Sequence, residues 1–243
     1  MIRLKVNRFL FHKADAQPRE CEDAVGVNAA AGRFAVVDGA TEGFDSRRWA
    51  RYLAHGWIRA WACDVMAAEE AVRLLGGRLQ ARHRMDSLPW YLQERAQQGA
   101  FAAFIGLSLQ PLGTWDALAM GDSCLFQEGP SHFLAFPLAE PGHFLKRPFL
   151  VPSLIEQHPH LLQHVRRERG VSLPGDCFLL MSDAIACWYL AHGRGERDLR
   201  KRLHQLMSDD RRAELEGLVT EERAAERLRN DDVAILRIEV LSV

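Results

Sequence analysis

The chain has 243 residues, of which 48% are hydrophobic and 26% charged, enough to bury a large core in an ordinary globular protein. Lys plus Arg (31) nearly cancels Asp plus Glu (32), so no overall field favours nucleic acid and no polybasic tail favours a membrane surface. Five cysteines, an odd number without a CxxC pair, argue against a disulfide framework or a zinc site. Cys124, Cys177 and Cys187 lie in apolar runs and read as reduced, buried thiols. With no signal-like N-terminus and no apolar run of membrane-spanning length, a cytoplasmic protein is expected.

Ile2, Leu4 and Val6 alternate with polar residues and predict an opening strand. Residues 24–27 and 33–37 predict two more, joined by a small-residue turn at 28–32. From Asp45, a good N-cap, a helix should carry Trp49, Leu53, Trp57 and Trp61 on one face, packed against a sheet. A second helix is expected over 69–84 with a break at Gly76 and Gly77, and a third from Pro89. Strands are expected at 101–109, 115–120, 123–127 and 132–136, separated by Pro- and Gly-containing turns. Residues 137–152 hold four prolines and predict an irregular flap. A helix interrupted by Pro159 is expected over 153–168, then a strand at 177–182, helices to about 229, and a strand at 233–241. This order is not a regular βαβ alternation, and no linker or repeat divides the chain, so one domain spanning residues 1–243 is expected.

Several constellations carry little chemistry. His160 and His164 have a helical metal-binding spacing, but no carboxylate or cysteine completes the set, and a solvated helix face is the simpler reading. Cys187 lies near Asp183 without the loop that would make it a phosphate-binding nucleophile. No glycine-rich phosphate loop is present.

Acidic tags at the ends of apolar runs are the informative feature: Glu22 and Asp23, Asp38 before Gly39, Asp122, Asp183, and Asp231 with Asp232. Carboxylates at the edge of a core are costly unless a cation compensates them, and no Lys or Arg lies within two residues of Asp38 or Asp183 in sequence. Gathered from distant segments, such groups suit a hard divalent cation held by oxygen ligands. The tags, their order and their apolar lead-ins resemble the metal-dependent protein phosphatases of type 2C, in bacterial-like form, over about residues 19–240.

The resemblance implies an α+β fold: a four-layer α/β/β/α sandwich of two antiparallel sheets flanked by helices, with two Mn²⁺ or Mg²⁺ ions at one end. It implies that Asp38 bridges the ions, that the Gly39 carbonyl binds one, and that Asp183 and Asp231 complete the other's protein ligands. Glu22 and Asp23 would hold waters around the ions, and Asp122 matches a position linked to a third metal. Departures accompany the match. The Arg expected to grip phosphate corresponds to Arg19, one residue closer to the acidic pair than usual, with Lys13 and Arg33 as substitutes. Ala40 stands where some members carry a proton-donating His, and Cys187 replaces the acidic partner of the third metal. Ala184 and Cys124 replace a usual Gly and Arg.

The activity implied is hydrolysis of phosphoserine or phosphothreonine in proteins, opposing a serine/threonine kinase. Lys146 and Arg147 of the flap would meet the phosphoprotein substrate. The alternative is a catalytically inactive relative serving as a phosphoprotein-binding or regulatory module.

Overall fold

The computed structural model describes residues 2–60, 65–83, 88–192 and 197–242. In chain order it contains β1 (Arg3–Phe11), β2 (Ala24–Asn28), β3 (Arg33–Gly39), α1 (Ser46–Ala60), α2 (Val65–Gln80) and α3 (Trp90–Gln98). Then follow β4 (Phe101–Leu109), β5 (Thr114–Met120), β6 (Cys124–Glu128), β7 (Phe133–Phe136), β8 (Val151–Pro152), β9 (Arg166–Val171) and β10 (Cys177–Met181). The chain closes with α4 (Asp183–Ala191), α5 (Arg197–Ser208), α6 (Arg212–Ala224) and β11 (Val233–Ser242).

Two antiparallel sheets stack face to face, one ordered β1-β11-β10-β6-β7 and the other β2-β3-β4-β5-β9, with β8 paired to β4. The central strands are buried on both faces, which is why they read as continuous apolar runs rather than alternating ones. On β3, Phe34 and Val36 point between the sheets, whereas Ala35 and Val37 point to the helices. On β10, Phe178 and Leu180 point between the sheets, whereas Leu179 and Met181 pack against α4 to α6. Helices α1 and α2 cover the second sheet, completing the four layers expected.

The aromatic stripe of α1 is core, as its spacing suggests. Trp49, Leu53 and Trp57 are fully buried. Each indole finds an acceptor: Trp49 Nε1 donates to the Val151 carbonyl at 2.9 Å and Trp57 Nε1 to that of Leu107 at 3.2 Å. Gly106 makes room for Trp57, since a Cβ there would stand 2.6 Å from the indole ring. Trp61, Cys63 and Arg84 lie outside the described residues.

Five expectations need correction. Helix α2 runs unbroken through Gly76 and Gly77. Gly76 serves close approach instead: a Cβ there would come within 2.0 Å of the Ser153 carbonyl oxygen. Residues 153–168 are not a helix but two 3₁₀ turns, Ile155–Gln157 and Leu161–His164, leading into β9. Pro159 cannot donate within a helix, and Arg167 and Arg169 pair across the ladder with Asp116 of β5 at 2.7 and 2.8 Å. His160 and His164 therefore share no α-helical face, and His164 stacks on Phe149 with ring centroids 3.5 Å apart. Asp45 precedes α1 in a left-handed conformation (φ 61°), its carboxylate taken by Arg48 and His83 rather than capping the helix. Finally, the last helix stops at Ala224, and Cys187 is only half-buried. Among the described residues, no helix is long and apolar enough to cross a membrane.

Candidate active site

Every acidic tag lies at one end of the sandwich. Asp38 closes β3 beside Ala103 of β4, and Glu22 and Asp23 lead into β2, whose Ala24 pairs with Val37. Asp122 follows β5, Asp183 opens α4 after β10, and Asp231 and Asp232 precede β11, the neighbour of β10. Antiparallel pairing thus gathers acids up to 210 positions apart, from Glu22 to Asp232.

Asp232 holds this end together. It is buried, and its two oxygens accept from the backbone amides of Lys13 at 2.9 Å and Glu22 at 2.7 Å. Asn230 adds a bond from the Ala14 amide at 2.8 Å. The start of β11 therefore clips the segment between β1 and β2, and so sets where Glu22 and Asp23 stand. Ser182 Oγ accepts from the Ala234 amide at 2.9 Å, registering the residue before Asp183 on β11. Thr41 Oγ1 donates to Glu22 Oε2 at 2.6 Å.

The electrostatics are those of a nest that Arg229 compensates only in part. Burial, then the charges of Asp23, Asp183, Asp122 and Asp231, push the Asp38 carboxyl well above the ordinary range. Burial and Asp232 do the same to Asp23. Asp122 is raised to about 7, by burial and then by Asp183. Burial also raises Glu22 and Asp231, with Asp183 adding to the latter. Both oxygens of Asp23, and Oδ1 of Asp183, are buried without a hydrogen-bond partner. Oxygen-only donors, several of them orphaned, suit Mg²⁺ or Mn²⁺ rather than zinc. Among the described residues, no three such side chains already converge as a finished metal cage.

A cavity of about 390 Å³ opens onto Asp38, Gly39, Asp122, Asp183 and Asp231, and Lys146 and Arg147 of the flap line it too. The structure thus brings together Glu22, Asp38, Gly39, Asp122, Asp183, Asp231, Lys146 and Arg147. Asp23 lies buried close behind them, within the reach of their charges. Arg19 is not among them. It is exposed on the 3₁₀ turn Pro18–Glu20 and does not line the cavity. Arg33 is at the far end of β3, donating to the Trp57 carbonyl at 3.2 Å. Lys13 stands near enough to Glu22 to favour its ionised form, against the larger effect of burial. Gly39 is accounted for by packing, since a Cβ there would come 2.9 Å from the carbonyl oxygens of both Glu22 and Ser46.

Sequence reasoning missed Arg229. Its Nη2 contacts Asp183 Oδ2 and lies 3.2 Å from Asp231 Oδ2, and it lines the same cavity. It stands two residues before Asp231, but its partner Asp183 is 46 positions away. The thiols of Cys21, Cys124, Cys177 and Cys187 are all pushed up by burial, the opposite of what a nucleophile needs.

No family model matches the chain, and no curated protein matches it by sequence. Solved structures do match its fold. The catalytic domain of the serine/threonine protein phosphatase PstP, in complex with two manganese ions, superposes with a TM-score of 0.67 at 13% identity, covering 100% of both chains. PppA, a key regulatory component of the type VI secretion system in Pseudomonas aeruginosa, gives 0.61 at 16% identity, covering 98% of this chain and 97% of its own. RsbX in complex with magnesium gives 0.58 at 15% identity, covering 99% of this chain and 100% of its own. At these identities the likeness establishes the fold, that of the type 2C, or PPM, phosphatases.

Proposed function

We propose that this chain is a metal-dependent phosphatase that removes phosphate from serine and threonine side chains of proteins. One observation carries the reading. On a phosphatase fold, carboxylates from separate strand ends line a single cavity together with Lys146, Arg147 and Arg229. Two divalent cations bound there would neutralise the phosphate and make a water acidic enough to attack it. Asp38, within the field of Asp23, Asp122, Asp183 and Asp231, would be the carboxylate that both ions share. Asp183 and Asp231 would complete one ion's ligands, Gly39 would offer its carbonyl, and Glu22 and Asp23 would hold surrounding waters. Lys146 and Arg147 would meet acidic residues of the substrate protein that flank its phosphate. Ala40 bears no titratable proton, so the leaving alkoxide takes its proton from solvent or from another side chain.

The protein nature of the substrate is supported by the surface beside the centre. A groove of about 860 Å³ adjoins the cavity and shares Asp122, Lys146, Arg147 and Pro148 with it. Arg166 and Arg167 of β9 line its far side. A peptide carrying acidic residues beside its phosphoserine fits this charge. Such a peptide should lose phosphate in the presence of Mn²⁺. Replacing both Lys146 and Arg147 with Ala should slow that turnover about tenfold while sparing a small aryl phosphate. Equal losses on both substrates, or none on either, would remove the flap from substrate selection. The second reading, a non-hydrolytic phosphoprotein-binding module, is favoured by one feature: Arg229 already engages two of the ligand candidates. Peptide binding without phosphate release, with Mn²⁺ present, would establish it.

A further inference from the structure

Arg229 touches the carboxylates at the point where an ion would need them. Its guanidinium engages Oδ2 of both Asp183 and Asp231. Its own side chain is 54% exposed, whereas that of Asp183 is 11% exposed. The cation thus lies on the solvent side of Asp183, while Asp231 stays 41% exposed, and it has open cavity to move into. Burial disfavours its charge, but Asp183 and then Asp231 outweigh that cost and hold it protonated. Without a counter-ion, Asp23, Asp38, Asp122, Asp183 and Asp231 would repel one another at close range. One positive charge on Asp183 and Asp231 offsets part of that repulsion. An oxygen that accepts an N–H in this geometry does not offer the same lone pair to a metal ion. Asp183 Oδ1, buried and unpartnered, remains free to make a first contact with an incoming ion.

We propose that Arg229 is the resident counter-ion of the metal-free site, and that a divalent cation loads by exchange, taking Asp183 and Asp231 as the guanidinium withdraws into the cavity. The proposal rests on the metal-dependent reading above. Exchange makes apparent metal affinity weaker than the carboxylates alone would give, and so sets the metal concentration at which the site fills.

The test is calorimetric titration of Mn²⁺ into chelator-treated wild type, Arg229→Gln and Arg229→Lys, with the melting temperature of each protein before and after loading. Arg229→Gln should bind Mn²⁺ at least tenfold more tightly, a difference of about 1.4 kcal/mol. Its metal-free form should melt below wild type, and the loaded forms should melt alike. Arg229→Lys keeps the charge without the two-pronged fork and should fall between the two. If both variants bind Mn²⁺ no more tightly than wild type, the exchange is wrong while the metal reading stands. If none of the three binds Mn²⁺, the metal reading falls and the exchange with it.

Discussion

Asp38 ends a strand whose four preceding side chains, from Phe34 to Val37, are fully buried, and its carboxyl is held well above the ordinary range by burial and by its acidic neighbours. A bound cation would offset that cost. Asp38→Asn should therefore cut metal-dependent hydrolysis at least about a hundredfold, since it removes the bridging charge. It should leave the metal-free melting temperature equal or higher, because it also removes repulsion. Wild-type turnover in that variant at saturating Mn²⁺ would overturn the assignment. Asp122 gives a pH signature. It holds its proton up to about pH 7 in the folded protein, against 3.8 when free, so unfolding releases a proton between those values. Metal-free stability should then fall as pH rises through that window and level off above it. Thermal melts of chelator-treated protein from pH 5 to 8 should show the decline, and Asp122→Asn should make it shallower, leaving the part that Asp38 and Asp23 contribute. An identical slope in the variant would show that Asp122 is not the group responsible. At this scale the sequence revealed the acids themselves, because each follows an apolar run. It did not reveal that Arg19 would stay out of the cavity lining or that Arg229 would join it, since those placements depend on the path of turns and on a contact 46 positions long.

Among the elements, those with a strong apolar signal were legible: β3, β4, β10 and β11 as continuous runs, and α1 from its tryptophans. Strand β9 was not, because its sequence is mostly charged and its side chains are largely exposed. What makes it a strand is pairing with β5 and the two arginines on Asp116, a tertiary effect. Helix α2 shows the same limit. Two consecutive glycines read as a break, yet packing keeps the helix intact around them, and the two glycines differ in role. At Gly76 a Cβ would strike the Ser153 carbonyl, whereas at Gly77 it would meet nothing within 4 Å. Gly76→Ala should destabilise the protein by about 1–3 kcal/mol. Gly77→Ala should stabilise it by about 0.5–1 kcal/mol, through the entropy lost by the unfolded chain. Denaturant melts of the pair decide the matter, and equal effects would contradict the close approach to Ser153.

For the molecule as a whole, the two sheets explain why residues from both ends of the chain meet. Strand β11 lies between β1 and β10, so the acids at its start adjoin Asp183, and the Asp232 carboxylate ties down the segment leading to β2. The sandwich and its acidic end were legible because the tags, in their order, resemble those of the type 2C phosphatases, which implies both. Of the counter-charge, Lys146 and Arg147 were expected in the flap, whereas Arg229 was not, because it meets Asp183 from 46 positions away. The account stands on the carboxylate nest being a working metal centre. The most direct measurement is hydrolysis of a chromogenic aryl phosphate by the purified protein, in chelator and then in increasing Mn²⁺. Turnover absent in chelator, restored by Mn²⁺ and lost in Asp38→Asn is the result expected. Turnover indifferent to both the metal and Asp38, or no turnover at any Mn²⁺ concentration, would contradict it.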